Sequence, residues 1–381
     1  MSLSPLRALI YYVPTVAPVT NRALLAVTGS QAVEFLNGIV ASEVTGHKPF
    51  YTAFLHPQGR VLHDAFVYTT TDPTSGAKGF VVEYDKRPGE LTTSLPGILR
   101  RYILRSKVKL RDVTEEYDVW QAWGSPQAER FWDHERRWTF AKSGAVEPAW
   151  DIINAWPWGT ADNLLHDRRA PGMGTRLLVR KGNKPEAATD HDMASSDAYK
   201  LHRILHGVPE GTSDITPSQA FPMDSNMDVM GGLNFRKGCY VGQELTVRTY
   251  HTGVIRKRIL PVALHLPGER PNLVQPSASA PHLHEGLPVN ARVAPDAGKR
   301  IARPRGTGKL LSNTQGVGLA LLRLEQVAGA EAGDIRFELD VSSSVDGSEV
   351  TQIEASHWWP NWWPRAPEAA AGDAAAENEV D

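Results

Sequence analysis

The sequence holds one cysteine, Cys239, within the stretch GLNFRKGCYVGQELTVRTYHTGVIRKR. A thiolate is both a nucleophile and a soft metal ligand, and Arg236 and Lys237 beside it would favour the ionised form if their side chains point the same way. Gly238 and Gly242 bracket the thiol and permit close approach of a ligand or a partner chain. Tyr240, Gln243 and Glu244 complete the octet KGCYVGQE. The plain alternative is a small core residue, a common role for free cysteine. Nucleophilic catalysis would need a base, and His251 is the nearest candidate in sequence. A zinc or iron-sulfur site held wholly within the chain needs about four ligands, commonly cysteines, and one is present. If Cys239 binds a cluster, its remaining ligands come from another molecule.

Other residues invite weaker readings. His202 and His206 stand four apart on one predicted helix, but no third metal ligand is in view. Asp64 lies in a predicted hairpin strand, where it serves as a hydrogen-bond acceptor for a ligand or for the fold. Arg105, Lys107, Lys109 and Arg111 alternate with apolar residues and form a basic face suited to carboxylates. His282 and His284 fall in an irregular surface insertion. Trp358, Trp359, Trp362 and Trp363 form either a docking strip or a clamp folded back on the body, and the clamp is the expectation.

The elements that must hold these residues follow from periodicity. LLAVTGSQAVEFLNGIVASEV reads as a short strand and then a helix capped near Ser30, with Ala32, Phe35, Leu36 and Ile39 on its buried face. YTAFLHPQGRVLHDAFVYTT reads as a hairpin with a type I turn starting at His56. RRYILRSKVKLRD alternates as one strand, with Tyr102, Leu104, Val108 and Leu110 on the apolar side. KGNKPEAATDHDMASSD is an unpatterned, mobile loop of about 17 residues. It leads into a helix capped by Ser196 or Asp197, with Ala198, Leu201, Ile204 and Leu205 inward, ended by Gly207 and Pro209. After residue 258, short β runs separated by turn residues predict a small β-barrel or sandwich. The final stretch, 366–381, is too polar and alanine-rich to pack.

Lys and Arg total 41 against 43 Asp and Glu, a net charge of -2, so the overall field gives no reason to expect nucleic acid or an anionic membrane as partner. A lone thiol suits a reducing compartment rather than secretion. The first residues read as neither a transmembrane span nor a signal sequence.

With these residues in hand, the chain resembles the YgfZ-type branch of the aminomethyltransferase (GcvT-like) superfamily, whose mitochondrial members are Iba-type iron-sulfur cluster assembly factors. KGCYVGQE carries the resemblance, and FLNGIVASEV, AFLHPQGRVLHDAFVY, LRRYILRSKVKLRDV and HGVPEGTSDITPSQAFPMDSNMD precede it in the family's order. The resemblance implies an α+β fold of three lobes around a central opening. Residues 20–48 with 116–255 would form a first, discontinuous lobe, 49–115 a second, and 256–365 a C-terminal β-barrel. It also implies a mitochondrial matrix protein acting late, in maturation of [4Fe-4S] proteins with A-type scaffold proteins. Cys239 would be a ligand of a shared [2Fe-2S] cluster, the isolated protein being a monomer with no tightly bound metal. Tetrahydrofolate is the implied small ligand, with Asp64, Arg176 and Asn226 as its polar contacts in a central cavity. Where the enzymes of the superfamily carry two adjacent acids, this chain has His63-Asp64, which argues against the alternative of a tetrahydrofolate-dependent one-carbon transferase.

Overall fold

The computed structural model describes residues 13–72, 75–87, 94–125, 136–150, 156–269, 283–294, 306–342 and 350–365. The expectations for His282 and for 366–381 lie outside the described residues.

In chain order the first part contains β1 (Thr15–Pro18), β2 (Arg22–Thr28), α1 (Ala32–Ile39), β3 (Phe50–Leu55), β4 (Val61–Thr71), β5 (Lys78–Asp85), α2 (Leu95–Ile103) and β6 (Lys109–Asp112). The middle part follows with β7 (Tyr117–Trp123), β8 (Arg137–Phe140), β9 (Val146–Ala149), β10 (Leu164–His166), β11 (Thr175–Arg180), β12 (Asp192–Met193), α3 (Ser196–Leu205), the single turn α4 (Gly211–Asp214) and α5 (Gln243–Thr252). The last part holds β13 (Lys257–His265), β14 (Pro288–Val293), β15 (Gly308–Thr314), β16 (Val317–Arg323), α6 (Leu324–Glu331), β17 (Ile335–Ser342) and β18 (Val350–His357). These strands form two five-stranded sheets, β3-β4-β5-β2-β6 and β10-β11-β7-β1-β12, a two-stranded sheet, β8-β9, and a closed barrel, β13-β16-β15-β14-β17-β18.

β1 and β2 are neighbours in sequence yet enter different sheets. β2 pairs with β5 and β6, so part of the segment 20–48 lies in the sheet of residues 49–115 rather than with 116–255. β1 pairs with β7 instead. The crossing is made at Val19–Asn21, where Asn21 takes φ 62°, a conformation asparagine tolerates better than most residues.

The hairpin is as expected: the Gly59 amide donates to the His56 carbonyl at 2.7 Å, closing the turn between β3 and β4. α1 buries Ala32, Phe35, Leu36 and Ile39, although its cap residue is Gln31 rather than Ser30. The barrel contains the expected runs as β13 to β17, together with the uncalled β18 and α6.

Two readings are corrected. RRYILRSKVKLRD is not one strand: α2 runs to Ile103, Leu104 turns the chain, and only Lys109–Asp112 is extended. Pro96 in the first turn of α2 and Leu95 with Leu99 at helical spacing set the period there. The long polar loop is also stitched to a sheet, since Asp192 and Ala194 donate to the carbonyls of Pro14 and Val16 at 2.8 and 2.9 Å.

α3 is shared between two environments. Leu201 and Leu205 pack with Ile204 against Ile259, Leu311, Val317 and Leu319 of the barrel. Tyr199, His202 and Arg203 are buried as well, so the inward set is wider than the aliphatic positions expected, and Ala198 is half-buried. The cap is Ser195, and Gly207 ends the helix at φ 69°. The tryptophan segment folds back as a clamp: Trp362 donates to the His206 carbonyl at 3.1 Å, and Trp359 and Trp363 pack on the barrel core.

Candidate functional site

The turn that carries Cys239 is built by its neighbours. The Asn234 side-chain oxygen accepts the amides of Arg236 and Lys237 at 2.8 and 3.0 Å, a local turn that asparagine favours. The Asn234 and Val241 amides donate to the carbonyls of Ala41 and Gly38, tying the turn to the end of α1. Lys237 completes the attachment. Its ammonium donates to the carbonyls of Asn37, Val40 and Ser42 at 2.7, 2.8 and 2.9 Å. The last carbonyls of a helix lack intrahelical partners and carry partial negative charge, so a cation belongs there. Burial lowers the Lys237 pKa to about 8.

Beyond the thiol the chain turns at Gly242, with φ 82°. A Cβ there would lie 2.4 Å from the His56 carbonyl oxygen, and one on Gly59 would lie 2.7 Å from Leu245 Cβ. The hairpin turn and the start of α5 thus interlock through two glycines. The Gln243 side chain accepts the Tyr240 amide at 3.2 Å, and Tyr240 is buried. Phe235 stacks on Tyr250 at 4.2 Å. Cys239 itself, like Gly238 and Glu244, is exposed.

Both cations beside the thiol are therefore committed elsewhere: Lys237 to α1, and Arg236 to Glu147 at 3.2 Å. The expected activation through their side chains is corrected to anchoring. His251 is on the last turn of α5, and among the described residues no hydrogen bond joins it to Cys239. What remains is an exposed soft ligand on a pinned loop. Among the described residues no group of three or more His, Cys, Asp or Glu side chains could hold a metal. His202 and His206 point to backbone carbonyls instead, of Gly172 at 3.1 Å and of His202 itself at 2.8 Å, and His202 stacks on Trp123.

The three residues singled out for a folate ligand are buried in different places. Arg176 donates to Glu83 at 2.5 Å and to the Tyr199 hydroxyl at 2.6 Å, with Glu210 3.3 Å away. Asn226 clasps the backbone of Ile259 in β13, donating to its carbonyl at 2.7 Å. Asp64 accepts the Gly211 amide at 3.1 Å through one oxygen, while its other oxygen has no partner. Burial raises the Asp64 pKa to about 6. Neither of two described cavities, one of about 610 Å³ beside His63 and Tyr84 and one of about 220 Å³ beside Arg22 and Tyr199, is lined by Asp64, Arg176 or Asn226. His63 faces away from Asp64 on the alternate side of β4, edge-on to Tyr84, and burial lowers its pKa to about 4.

Because the Asp64 pKa is raised, the stability linked to it is present below the ordinary carboxylate range and is lost as the pH rises through about 6. Asp64→Asn is expected to raise the unfolding free energy at pH 8 by up to about 3 kcal/mol, with little change at pH 4. Chemical denaturation at both pH values checks this, and no gain at pH 8 would contradict it.

Sequence reading missed the acids that neutralise the buried arginines. Glu83 joins Arg22 at 2.6 Å and Arg176, and Glu210 joins Arg169 at 2.8 Å. A signal existed: Glu83 sits in the strand KGFVVEYD among apolar residues, and a buried carboxylate calls for a cation.

Comparison with known proteins agrees with this architecture. Residues 256–365 match the family described as CAF17, C-terminal beta-barrel domain. Glycine cleavage system aminomethyltransferase T from Bartonella henselae shares the fold, with a TM-score of 0.56 and 13% identity over 92% of this chain and 87% of that one. The iron-sulfur cluster assembly factor IBA57 homolog, mitochondrial, of Cryptococcus neoformans is 38% identical over 364 residues, 91% of this chain and 94% of its own length. The protein of the same name from Coccidioides immitis is 36% identical, covering 90% of this chain and 81% of its own. Identity of this extent along nearly the whole chain, on a shared α+β fold ending in a barrel, means that the chain belongs to the IBA57 family of iron-sulfur cluster assembly factors.

Proposed function

We propose that the protein acts in mitochondrial iron-sulfur cluster assembly, late in the maturation of [4Fe-4S] proteins, by presenting Cys239 as one ligand of a cluster shared with an A-type scaffold protein. The observation that carries this reading is an exposed, solitary thiol on a loop anchored at both ends. One thiolate gives little chelation alone, but a partner with its own thiolates completes the coordination, so the cluster is held only in the complex. Mixing the protein with an A-type scaffold carrying a [2Fe-2S] cluster, and following the visible spectrum and the elution volume, tests it. A scaffold whose spectrum and size are unaltered by the protein would overturn it.

Lys237 supports this role by position. Lys237→Met leaves three carbonyls without their donor and loosens the loop against α1, and it is expected to weaken the cluster-bound complex by about tenfold, the effect of losing about 1.4 kcal/mol. Alkylation of Cys239 should quicken or slow measurably in the same variant. Unchanged alkylation and unchanged affinity would assign Lys237 no positioning role.

A second reading, folate binding, rests on one feature. The free Asp64 oxygen, the Tyr51 hydroxyl and Arg22 Nη2 are buried without partners among the described residues, and Asp64 is electrostatically coupled to both neighbours. A pterin would have to open the interior at Asp64, which lines neither described cavity, and would then supply N–H groups to Asp64 and acceptors to the other two. Calorimetric titration with tetrahydrofolate, using Asp64→Ala as control, tests it: no heat at about millimolar ligand would remove this reading.

A further inference from the structure

The last turn of α2, the turn that follows it and the first residue of β6 carry Arg100, Arg101, Arg105, Lys107 and Lys109, all exposed. None of the five pairs with a carboxylate among the described residues, while Arg111 further on pairs with Glu116. At the apex of this run Leu104 is 88% exposed, the most exposed of the large apolar side chains described. Its φ is 44°, a left-handed value that a leucine seldom takes.

The turn is not a loose tether. The Lys107 amide donates to the Gln31 side chain at 2.7 Å, and the Lys107 carbonyl lies 2.1 Å from where a Cβ on Gly29 would stand. Ser106 donates to the Ile103 carbonyl at 2.7 Å, and Val108 is buried. Fixed on both sides, the turn holds Leu104 out in solvent with cations before and after it. A net charge of -2 for the whole chain conceals this local concentration.

We infer that the α2–β6 turn is a peripheral docking surface for an anionic lipid bilayer, with Leu104 entering the interface and the five cations meeting the headgroups. An acidic protein would satisfy the cations equally, but it would have to offer a pocket matched to one projecting leucine. A bilayer accepts an apolar side chain anywhere along its interface. Among the described residues no helix is long and apolar enough to cross a membrane, so the association is one of surface contact. It is independent of the role of Cys239.

The experiment is flotation of the full chain with vesicles of phosphatidylcholine alone, or with one third phosphatidylglycerol. Binding is expected only to the anionic vesicles and is expected to fall as salt is raised, because exposed charges are screened. Each cation removed should weaken binding about fivefold, and Arg101→Gln with Arg105→Gln about thirtyfold. Leu104→Ser should weaken it at least about tenfold with the salt dependence retained. All three residues are exposed, so unchanged circular dichroism and thiol titre should confirm folded variants. Equal binding to neutral vesicles, no binding to either kind, or binding unaltered by these substitutions overturns the proposal. Capture of soluble polyglutamate without any flotation overturns it in favour of an acidic protein partner.

Discussion

Cys239→Ser is expected to abolish formation of the cluster-bound complex while the melting temperature stays within about 2 °C of the parent. The two halves have separate physical causes. Serine is close to cysteine in size, and the side chain it replaces is exposed, so neither a cavity nor a buried unpaired hydroxyl is created. The turn is held by Asn234, Lys237 and Gly242, none of which uses the sulfur. A hydroxyl is a harder and poorer ligand for a cluster iron than a thiolate. Thermal melting of the free protein and gel filtration of the reconstituted complex, both on the one variant, decide the matter. A complex that still forms with its visible spectrum intact would remove Cys239 as a ligand, and a large fall in melting temperature would assign the residue to packing.

Arg176→Leu should be the most destabilising of the substitutions considered, by about 3–5 kcal/mol, a large part of the 5–15 kcal/mol that holds typical proteins folded. The side chain is fully buried, and its removal leaves Glu83 and Glu210 facing each other in an interior that water does not reach. Burial on its own would push both carboxyls up, but Arg176, with Arg22 near Glu83 and Arg169 near Glu210, outweighs it and holds both below the ordinary range. The parent therefore keeps this contribution above the usual carboxylate pKa and loses it as the pH falls further. Without Arg176 only Arg22 at Glu83 and Arg169 at Glu210 oppose the burial, so the variant's loss of stability on acidification should be smaller than the parent's. Denaturant unfolding across a pH series measures both effects, and a loss below about 1 kcal/mol at neutral pH would show that the network is not what secures β5 to β11. Arg176→Leu with Glu210→Gln should be less damaging than the sum of the two, because neighbours in one network do not act independently.

What was legible in the sequence is what neighbouring residues decide among themselves. The turn at His56–Gly59, the apolar stripe of α1 and the stop at Gly207 each follow from a few adjacent side chains, and each is present. Side-chain direction was not legible. Lys237 stands two residues from Cys239, yet its partners are carbonyls about two hundred positions earlier, and only the fold brings them together. The arginine-carboxylate network is hidden for the same reason, since Arg176 and Glu83 are 93 residues apart. The parting of β1 from β2 was unreadable because TVAP and RALLAVT are both short, largely apolar strands that would suit either sheet. VTQIEASH was not legible as a strand because its run of polar side chains around Ile353 and Ala355, the described ones that reach the barrel core, resembles a polar loop.

The barrel is closed by its last strand: β18 pairs with β13, which opens the domain, and with β17. A nascent or imported chain emerges N-terminus first, so the thiol-bearing loop is delivered before the seam that completes the ring can form. Until residues 350–357 arrive, β13 and β17 each present an open ladder of amides and carbonyls, the kind of edge to which chaperones and other strands adhere. Premature termination upstream of this strand would leave the anchored loop encoded intact while exposing two adhesive edges.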